Sequence, residues 1–208
     1  MQNGIMGCME ATQIIPAPGA CILLTPHFLT EKEHSSLFNS LLEQPHWRQD
    51  QITIFGQTHD LPRLQAWYGD DDCNYSYSGI ELPPLPWSDT LRQLKQRVET
   101  ASGAEFNSVL LNLYRHGQDS NGWHADDEPE LGDSPTIASL SLGATRRFRL
   151  RHKFQKDLSA ISLDLQAGSL LVMKDDTQEN WQHCIPKTAR EVGPRINLTF
   201  RKIIHGQS

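Results

Sequence analysis

The stretch Arg195-Ile-Asn-Leu-Thr-Phe-Arg201 decides the fold class of this chain of 208 residues. Polar and apolar side chains alternate strictly along it. In an extended strand, two guanidiniums, an amide and a hydroxyl therefore share one face, and three apolar side chains share the other. Two arginines on a core strand need carboxylate partners to offset their desolvation, and a dicarboxylate ligand is one such partner. An ordinary half-exposed strand would alternate in the same way.

Short β-like segments, separated by turn signals, precede this stretch. They are predicted at 109–115, 136–142, 147–154, 162–165 and 169–173, and the final strand at 195–203. Strands at this spacing are typical of a sandwich or a jelly roll. The sequence therefore predicts an α+β fold that is mainly β.

Two helices are expected to flank the strands. Thr30-Glu-Lys-Glu33 fits a capping box at the start of an amphipathic helix over 30–44. Ser88 is placed to cap a second helix, which Gly103 would end near residue 102. Between them, residues 50–87 combine glycines, prolines and aromatics with β-like pieces such as 51–55, a composition that favours hairpins over a site.

The composition is that of an ordinary globular chain, with 38% hydrophobic and 21% charged residues, and it excludes collagen, coiled coil and low complexity. The four cysteines lie far apart, without the spacing of a disulfide framework or a zinc knuckle. No apolar run has the length of a membrane span, and the N-terminus lacks the pattern of a signal peptide. We therefore expect a protein of the cytoplasm or nucleus that has no membrane partner.

The net charge of −6 hides two opposite halves. Residues 1–142 carry 7 Lys and Arg against 19 Asp and Glu, or −12, whereas residues 143–208 carry 12 against 6, or +6. Within the basic part, alternation in the run 146–153 places Arg147, Arg149, Arg151 and Lys153 on one strand face. Such a face would track phosphates, although a solvated face paired to the acidic half is the alternative.

A candidate metal site begins at Trp123-His124-Ala-Asp126, where an extended chain would put the imidazole and the carboxylate on the same side. His183 offers a third ligand, and two His plus one carboxylate form the facial triad of non-haem Fe(II) oxygenases. The alternative is two unrelated surface histidines beside an acidic loop. Asn112-Leu-Tyr114 adds an amide and a phenol on one face, which together with Arg195 would suit both ends of 2-oxoglutarate.

Between about residue 50 and residue 203, the chain contains a series of motifs that resemble, in the same order, those of a known protein family. They are Ile54-Phe-Gly-Gln57, Pro62-Arg63, Tyr75-Ser-Tyr-Ser-Gly79, Asn112-Leu-Tyr114, His124-Ala-Asp-Asp-Glu128, Ser139-Leu-Ser-Leu-Gly143, Gly168-Ser-Leu-Leu171, His183 and Arg195 to Arg201. The chain resembles the AlkB family of Fe(II)/2-oxoglutarate-dependent nucleic-acid dealkylases, and within it the duplex-acting DNA repair branch. This resemblance implies a double-stranded β-helix (jelly roll) with flanking helices, forming one dioxygenase domain over 26–208. It also implies a nucleotide-recognition lid over 50–87, while residues 1–25 are left as an N-terminal extension.

The resemblance also implies roles for particular residues. His124, Asp126 and His183 would hold Fe(II), and Arg195 would grip the distal carboxylate of 2-oxoglutarate. The other residues implied to bind this co-substrate are Tyr114 and Asn197 beside Arg195, Asn112 and Arg201 nearer the metal, and Thr199. The implied reaction demethylates 1-methyladenine and 3-methylcytosine in DNA, using O₂ and 2-oxoglutarate and releasing succinate, CO₂ and formaldehyde.

Substrate contacts follow from the same resemblance. A flipped base would stack on Tyr77 opposite His124, Tyr75 would contact phosphate, and Phe55 with Gly56 would form a wedge into the duplex. The alternative for Phe55 is an aromatic that covers the core.

Asp127 and Glu128 follow the metal motif and would select the positive charge of the methylated bases. The alternative is a solvated acidic loop. We expect a monomer acting on single- or double-stranded alkylated DNA. RNA or a protein substrate, or a non-catalytic jelly-roll binding module, are the alternatives.

Overall fold

Two antiparallel sheets face each other in the structure, a computed structural model that describes residues 11–43, 46–54, 56–71, 73, 75–77, 80–82 and 84–204. Of residues 54, 75–77 and 80–82 it describes the backbone alone. The helices are α1 Glu31–Leu42, α2 Asp89–Ser102 and α3 Thr177–Asn180, with a 3-10 turn at Pro129–Leu131. The strands are β1 Gln13–Ile15, β2 Cys21–Thr25, β3 Gln51–Ile54, β4 Gln57–Asp60, β5 Leu64–Gly69, β6 Tyr75–Tyr77, β7 Ile80–Leu82, β8 Ser108–Tyr114, β9 Asn121–His124, β10 Ile137–Gly143, β11 Arg146–His152, β12 Ile161–Leu165, β13 Leu170–Lys174, β14 Trp181–Ile185 and β15 Arg195–Arg201.

The larger sheet has seven strands in the order β1-β2-β13-β10-β15-β8-β5, and the smaller has four in the order β12-β11-β14-β9. Two separate hairpins, β3-β4 and β6-β7, lie within the segment 50–87, so the expectation of hairpins there is confirmed. Neighbouring strands in the larger sheet are mostly distant in sequence, as Greek-key connections require. This arrangement is the predicted double-stranded β-helix.

The strand with strictly alternating polar and apolar residues, β15, lies near the middle of the larger sheet between β10 and β8. Its apolar side chains Ile196, Leu198 and Phe200 are fully buried in a core that also contains residues of α1 and α2. Burying each such side chain contributes roughly 1.5–3 kcal/mol relative to leaving it exposed. The polar face of β15 points the other way, toward the smaller sheet, so both faces are covered as the alternation predicts.

The two flanking helices begin as the sequence predicts. The Thr30 side chain accepts from the Glu33 backbone N–H, and the Glu33 carboxylate accepts from the Thr30 N–H, which completes a capping box. Helix α1 ends at Leu42, two residues before the predicted boundary at 44, and the Leu41 carbonyl in its last turn accepts from Trp47 Nε1 at 3.1 Å. Helix α2 runs from its cap Ser88 to Gly103, which adopts φ 68°, where glycine avoids the strain of a Cβ.

The sequence patterns did not predict the two N-terminal strands. In the segment expected to be an N-terminal extension, β1 pairs with β2, and β2 pairs with β13 of the larger sheet. The domain boundary at residue 25 stays a prediction, and residues 1–10 lie outside the described part. The short helix α3 lies between β13 and β14. No helix among the described residues is long and apolar enough to cross a membrane.

Candidate active site

Three of the predicted ligands meet between the sheets. His124 ends β9 and is paired across the sheet with His183 of β14, and Asp126 follows His124 by two residues. One donor atom from each of the three lies within 4.8 Å of the others. The His183 Nε2 to Asp126 Oδ2 distance is 3.6 Å, and the two imidazole centroids are 4.2 Å apart. The structure therefore joins residues that are 57 positions apart in the sequence numbering.

Burial sets the protonation states of this cluster. Desolvation lowers the pKa of His183 to about 3, with the neighbouring His124 acting in the same direction. Desolvation also lowers the pKa of His124. Burial alone would raise the pKa of Asp126, but the Arg201 guanidinium and the histidines outweigh it and lower that pKa to about 2. At neutral pH the site offers two neutral imidazoles and one carboxylate, the ligand set of a 2-His-1-carboxylate metal centre.

The ligands are oriented by a second set of contacts. Nδ1 of His124 lies 2.8 Å from the Gly122 carbonyl oxygen, which fixes the N–H tautomer at Nδ1, so Nε2 is the acceptor nitrogen and lies 3.2 Å from Asn121 Nδ2. Arg201 donates to Asp126 Oδ1 at 2.5 Å. The Gln178 amide oxygen accepts from the Asp126 backbone N–H at 3.0 Å, and Phe148 stacks on His183 at 5.2 Å. Gln178 carries no sequence signal, whereas the alternation of the run 146–153 puts Phe148 on the face opposite the four cations.

The polar face of β15 forms a second cluster beside the metal cluster. Arg195 Nη2 donates to Ser141 Oγ at 2.9 Å and to Asn197 Oδ1 at 2.8 Å, and Asn197 in turn donates to Thr199 at 2.6 Å. Within the described residues, Arg195 Nε and Nη1 are buried without a hydrogen-bond acceptor. Because desolvation lowers the pKa of Arg195 only to about 10, the group remains a cation at neutral pH. Two unused donors on a buried cation are the arrangement that an anionic ligand would complete.

The phenol ring of Tyr114 lies between two guanidiniums. Arg195 Cζ is 5.4 Å and Arg146 Cζ 5.6 Å from the ring centroid. Arg146 is itself buried, and it donates to three backbone carbonyls: His116 at 3.3 Å, Asp119 at 2.8 Å and Pro186 at 2.8 Å. No role was predicted for Arg146, because nothing in its spacing distinguishes it from the arginines that follow.

Asn112 and Arg201 both reach the cavity but are already engaged. Asn112 Oδ1 accepts from Arg63 Nε at 2.8 Å and from Gln65 Nε2 at 3.0 Å, so its NH₂ group is the part left for a ligand. The cavity between the sheets is lined by residues of both clusters, namely Arg63, Asn112, Tyr114, Asn121, His124, Asp126, Ser139, Phe148, His183, Asn197, Thr199 and Arg201, together with Leu110, Met173, Cys184 and Ile185. The three metal candidates thus share this cavity with Asn197 and Thr199, and Arg195 lies on the same face of β15, next to the cavity lining.

The structure describes only some of the residues that are predicted to contact the substrate. Asp127 is exposed and its Oδ2 lies 2.6 Å from Lys153 Nζ, whereas Glu128 is half-buried. Gly56 occupies the turn between β3 and β4 with φ 77°, and Phe55 lies outside the described residues. Strand β6 contains Tyr75 and Tyr77, whose side chains are likewise outside the described part.

Comparisons with known proteins agree with this geometry. The family model of the 2OG-Fe(II) oxygenase superfamily matches residues 21–201. Alpha-ketoglutarate-dependent dioxygenase alkB homolog 3 of Bos taurus is 43% identical over 190 residues, covering 88% of this chain and 66% of that protein. DNA oxidative demethylase ALKBH2 is 42% identical in Homo sapiens, covering 74% of this chain and 61% of that protein. The Arabidopsis thaliana protein of that name is 32% identical, covering 89% and 67%.

The chain thus spans about two thirds of the length of these curated relatives. The solved structure of OsALKBH1 matches with a TM-score of 0.64 at 18% identity, covering 92% of this chain and all of that one, and it supports the fold alone.

Proposed function

We propose that this chain, which belongs to the AlkB family of the 2OG-Fe(II) oxygenase superfamily, is an iron- and 2-oxoglutarate-dependent dioxygenase that removes alkyl groups from bases of nucleic acid. One observation carries the proposal. A buried triad of two neutral imidazoles and one carboxylate shares a cavity wall with the strand that carries Arg195, a buried cation with two unused donors. The first group fits Fe(II), and the second fits the carboxylate of a dicarboxylic acid.

The bound metal and co-substrate supply the oxidation: O₂ and 2-oxoglutarate are converted to succinate and CO₂, and an N-methyl carbon leaves as formaldehyde. The chain supplies binding, orientation and charge. His124, Asp126 and His183 would hold the metal. Arg201 keeps the Asp126 carboxylate ionised and fixes its orientation, because its guanidinium donates to one of the two carboxylate oxygens.

Arg195 would bind the carboxylate of 2-oxoglutarate that lies away from the metal. Its Nη2 donates to Ser141 and Asn197, so the orientation of the guanidinium is fixed before the ligand binds. Tyr114 lies beside it, and Asn197 and Thr199 continue the polar face toward the metal cluster. Asn112, held by Arg63 and Gln65, and Arg201 would serve the end nearer the metal.

The substrate class that we propose is alkylated DNA, single- or double-stranded, with 1-methyladenine and 3-methylcytosine as test bases. Relatives of this chain are named as a DNA oxidative demethylase and a dioxygenase of the alkB type, which supports this choice. A base inside a duplex cannot reach a buried metal, so it must be extruded. Tyr75, Tyr77, Phe55 and Gly56 stay the proposed contacts to the extruded base and its strand.

Charge selection of the methylated base is proposed for Asp127 and Glu128, and the two have different surroundings. Lys153 neutralises the exposed Asp127, whereas Glu128 is half-buried. We therefore expect Glu128→Gln to lower turnover of cationic methylated bases more than turnover of neutral etheno adducts. Equal losses on both substrate types would remove the charge argument.

The test of the function is a panel of oligonucleotides that carry N-methylated bases, incubated with Fe(II), 2-oxoglutarate and ascorbate. Formaldehyde and demethylated product should form with wild type and with His46→Ala, a control at an exposed histidine outside the proposed lid, and be lost in His183→Ala. Methylated RNA and methylated peptides form parallel arms. Product on RNA or peptide alone would replace the DNA proposal. No succinate release with any substrate would point to a non-catalytic binding module instead. A monomer of the cytoplasm or nucleus stays a prediction.

A further inference from the structure

The outer face of the smaller sheet carries a group of side chains that the proposed chemistry does not use. Trp123 of β9 lies between two arginines of β11: Arg151 Cζ is 4.3 Å and Arg149 Cζ 5.8 Å from its indole ring. Arg151 also donates through Nε and Nη2 to Gln182 Oε1, at 3.3 Å and 2.9 Å. We call Trp123, Arg149 and Arg151 the Trp123 cluster. Both guanidiniums lie within cation–π distance of the indole, and this contact reduces the entropy lost when they bind a ligand.

Four cations share this strand face, but their charges are not equally available. Arg147 donates to both carboxylate oxygens of Asp164, at 2.9 Å and 2.8 Å, and Lys153 pairs with Asp127 at 2.6 Å. Among the described residues, no carboxylate forms an ion pair with Arg149 or Arg151. The available positive charge of this face is therefore concentrated at the Trp123 cluster, which refines the simple run of four cations expected from the alternation.

The Trp123 cluster lies next to the candidate active site. Trp123 directly precedes the proposed ligand His124, and successive side chains of a strand point to opposite faces, so the indole is outside while the imidazole is inside. Strand β9 is also the edge strand of the smaller sheet, in the order β12-β11-β14-β9. A ligand bound on this outer face at Trp123 would therefore lie close to the metal cluster, which is on the inner face of the same strand.

We propose that the Trp123 cluster binds two phosphates of the nucleic-acid substrate next to the base that enters the cavity. Arg149 and Arg151 lie about 6.8 Å apart along their strand, since each residue of a strand advances about 3.4 Å. Guanidiniums bind phosphate oxygens through two parallel N–H donors, and those of Arg149 remain available because Trp123 offers a ring face instead of an acceptor. The inference rests on the proposed function, since it assumes that the substrate is a nucleic acid.

The test measures binding of unmodified oligonucleotides by fluorescence anisotropy between about 50 and 200 mM salt, the range over which phosphate contacts change affinity strongly. Each lost phosphate contact lowers the slope of log K against log salt by about 0.7 for a single strand and about 0.9 for duplex. The double variant Arg149→Gln/Arg151→Gln should therefore lose about 1.4 of the slope on a single strand or about 1.8 on duplex. Arg147→Gln is the matched control on the same face, and its slope should stay at the wild-type value because its guanidinium is occupied by Asp164.

Two further measurements separate a phosphate site from a structural role. Arg149→Lys/Arg151→Lys retains both charges and should keep the wild-type salt slope, and succinate formation from 2-oxoglutarate without nucleic acid should be unchanged in all variants. A double Gln variant with the wild-type slope, or with the same loss as Arg147→Gln, would overturn the phosphate site while leaving the dioxygenase intact. Failure of wild type to bind any nucleic acid would overturn the proposed function as well.

Discussion

Replacing Arg195 with Met tests whether the buried guanidinium is a ligand-binding group or a structural one. Arg195 is 1% exposed, and its Nε and Nη1 find no acceptor within the described residues. Met has a similar length and no charge, so the substitution removes a desolvated cation while leaving the space filled.

The magnitudes point to a small effect without ligand. The lost hydrogen bonds to Ser141 and Asn197 are each worth about 1.5–3 kcal/mol, as bonds from a charged donor. The Asn197 oxygen still accepts from Ser139 Oγ at 2.9 Å, so it is not left bare. Against this, a buried cation without a counter-charge costs several kcal/mol in desolvation. The two effects offset each other, and we expect the free energy of unfolding to change by no more than about 1 kcal/mol.

In the presence of 2-oxoglutarate, the substitution should have a large effect on Tm. A ligand at one hundred times its Kd stabilises the folded state by about 2.7 kcal/mol, which for a chain of this size raises Tm by roughly 5–10 °C. Wild type should show this shift with 2-oxoglutarate, and a smaller one with glutarate, which has both carboxylates but lacks the 2-oxo group that would bind the metal. Arg195→Met should lose both shifts, and Arg195→Lys should retain part of them, because it keeps the charge without the fork.

Thermal denaturation followed by fluorescence gives these shifts, and urea denaturation gives the free energy of unfolding. Arg147→Gln, a surface arginine paired to Asp164, serves as the control and should keep the full shift. A full 2-oxoglutarate shift in Arg195→Met would refute the assignment of the carboxylate to this residue. A loss of about 4 kcal/mol without ligand would show that Arg195 is needed for folding instead.

Three further predictions concern stability, measured by urea denaturation with an unchanged m value. Gly143→Ala should cost at least about 2 kcal/mol, since φ is 79° and a Cβ would lie 2.5 Å from both the Phe38 ring and the Pro194 carbonyl oxygen. Thr30→Ala should cost about 1 kcal/mol through loss of the helix cap. Arg146→Met should cost about 2–4 kcal/mol, because three backbone carbonyls lose their donor.

Each of these expectations has a clear contrary result. A neutral Gly143→Ala would show that Phe38 and the backbone at Pro194 move at little cost. If Thr30→Ala is neutral, the helix start is held by tertiary contacts alone. An unchanged stability of Arg146→Met would mean that water replaces the guanidinium at all three carbonyls.

The parts of the fold that the sequence predicts well are those with a local physical signature. The strict alternation of 195–201 survives as a strand with a polar and an apolar face, since both faces are buried against different layers. Helix starts were predictable for the same reason, because Thr30 and Ser88 act on backbone groups within three residues. By contrast, strand β5 is buried on both faces, so it lacks the alternation that marks a half-exposed strand. Strand β1 is only three residues long and was not recognised as a strand.

In the candidate site too, the residues with a recognisable type and spacing were predicted, whereas the contacts between distant segments were not. Residue types and spacing led to His124, Asp126 and His183, because few side chains suit an iron centre. No spacing rule connects Gln178 to the backbone of Asp126, or Arg63 and Gln65 to Asn112, since these contacts join segments that lie far apart in the chain. Asp127 is predicted to select the positive charge of a methylated base, and its ion pair with Lys153 arises only where the segment after β9 meets the end of β11.

By itself, the sequence determined which groups this protein can use: two imidazoles and a carboxylate for a metal, arginines for an anion, and strands whose two faces must both be buried. Only the tertiary structure decided which of those groups remain available. Arg147 and Lys153 are neutralised by nearby carboxylates, while Arg149 and Arg151 lie over the Trp123 ring and form no ion pair within the described residues. The reason is physical. A side chain's identity sets its charge and donors, but its hydration and counter-ions depend on distant segments that meet it only in the folded state.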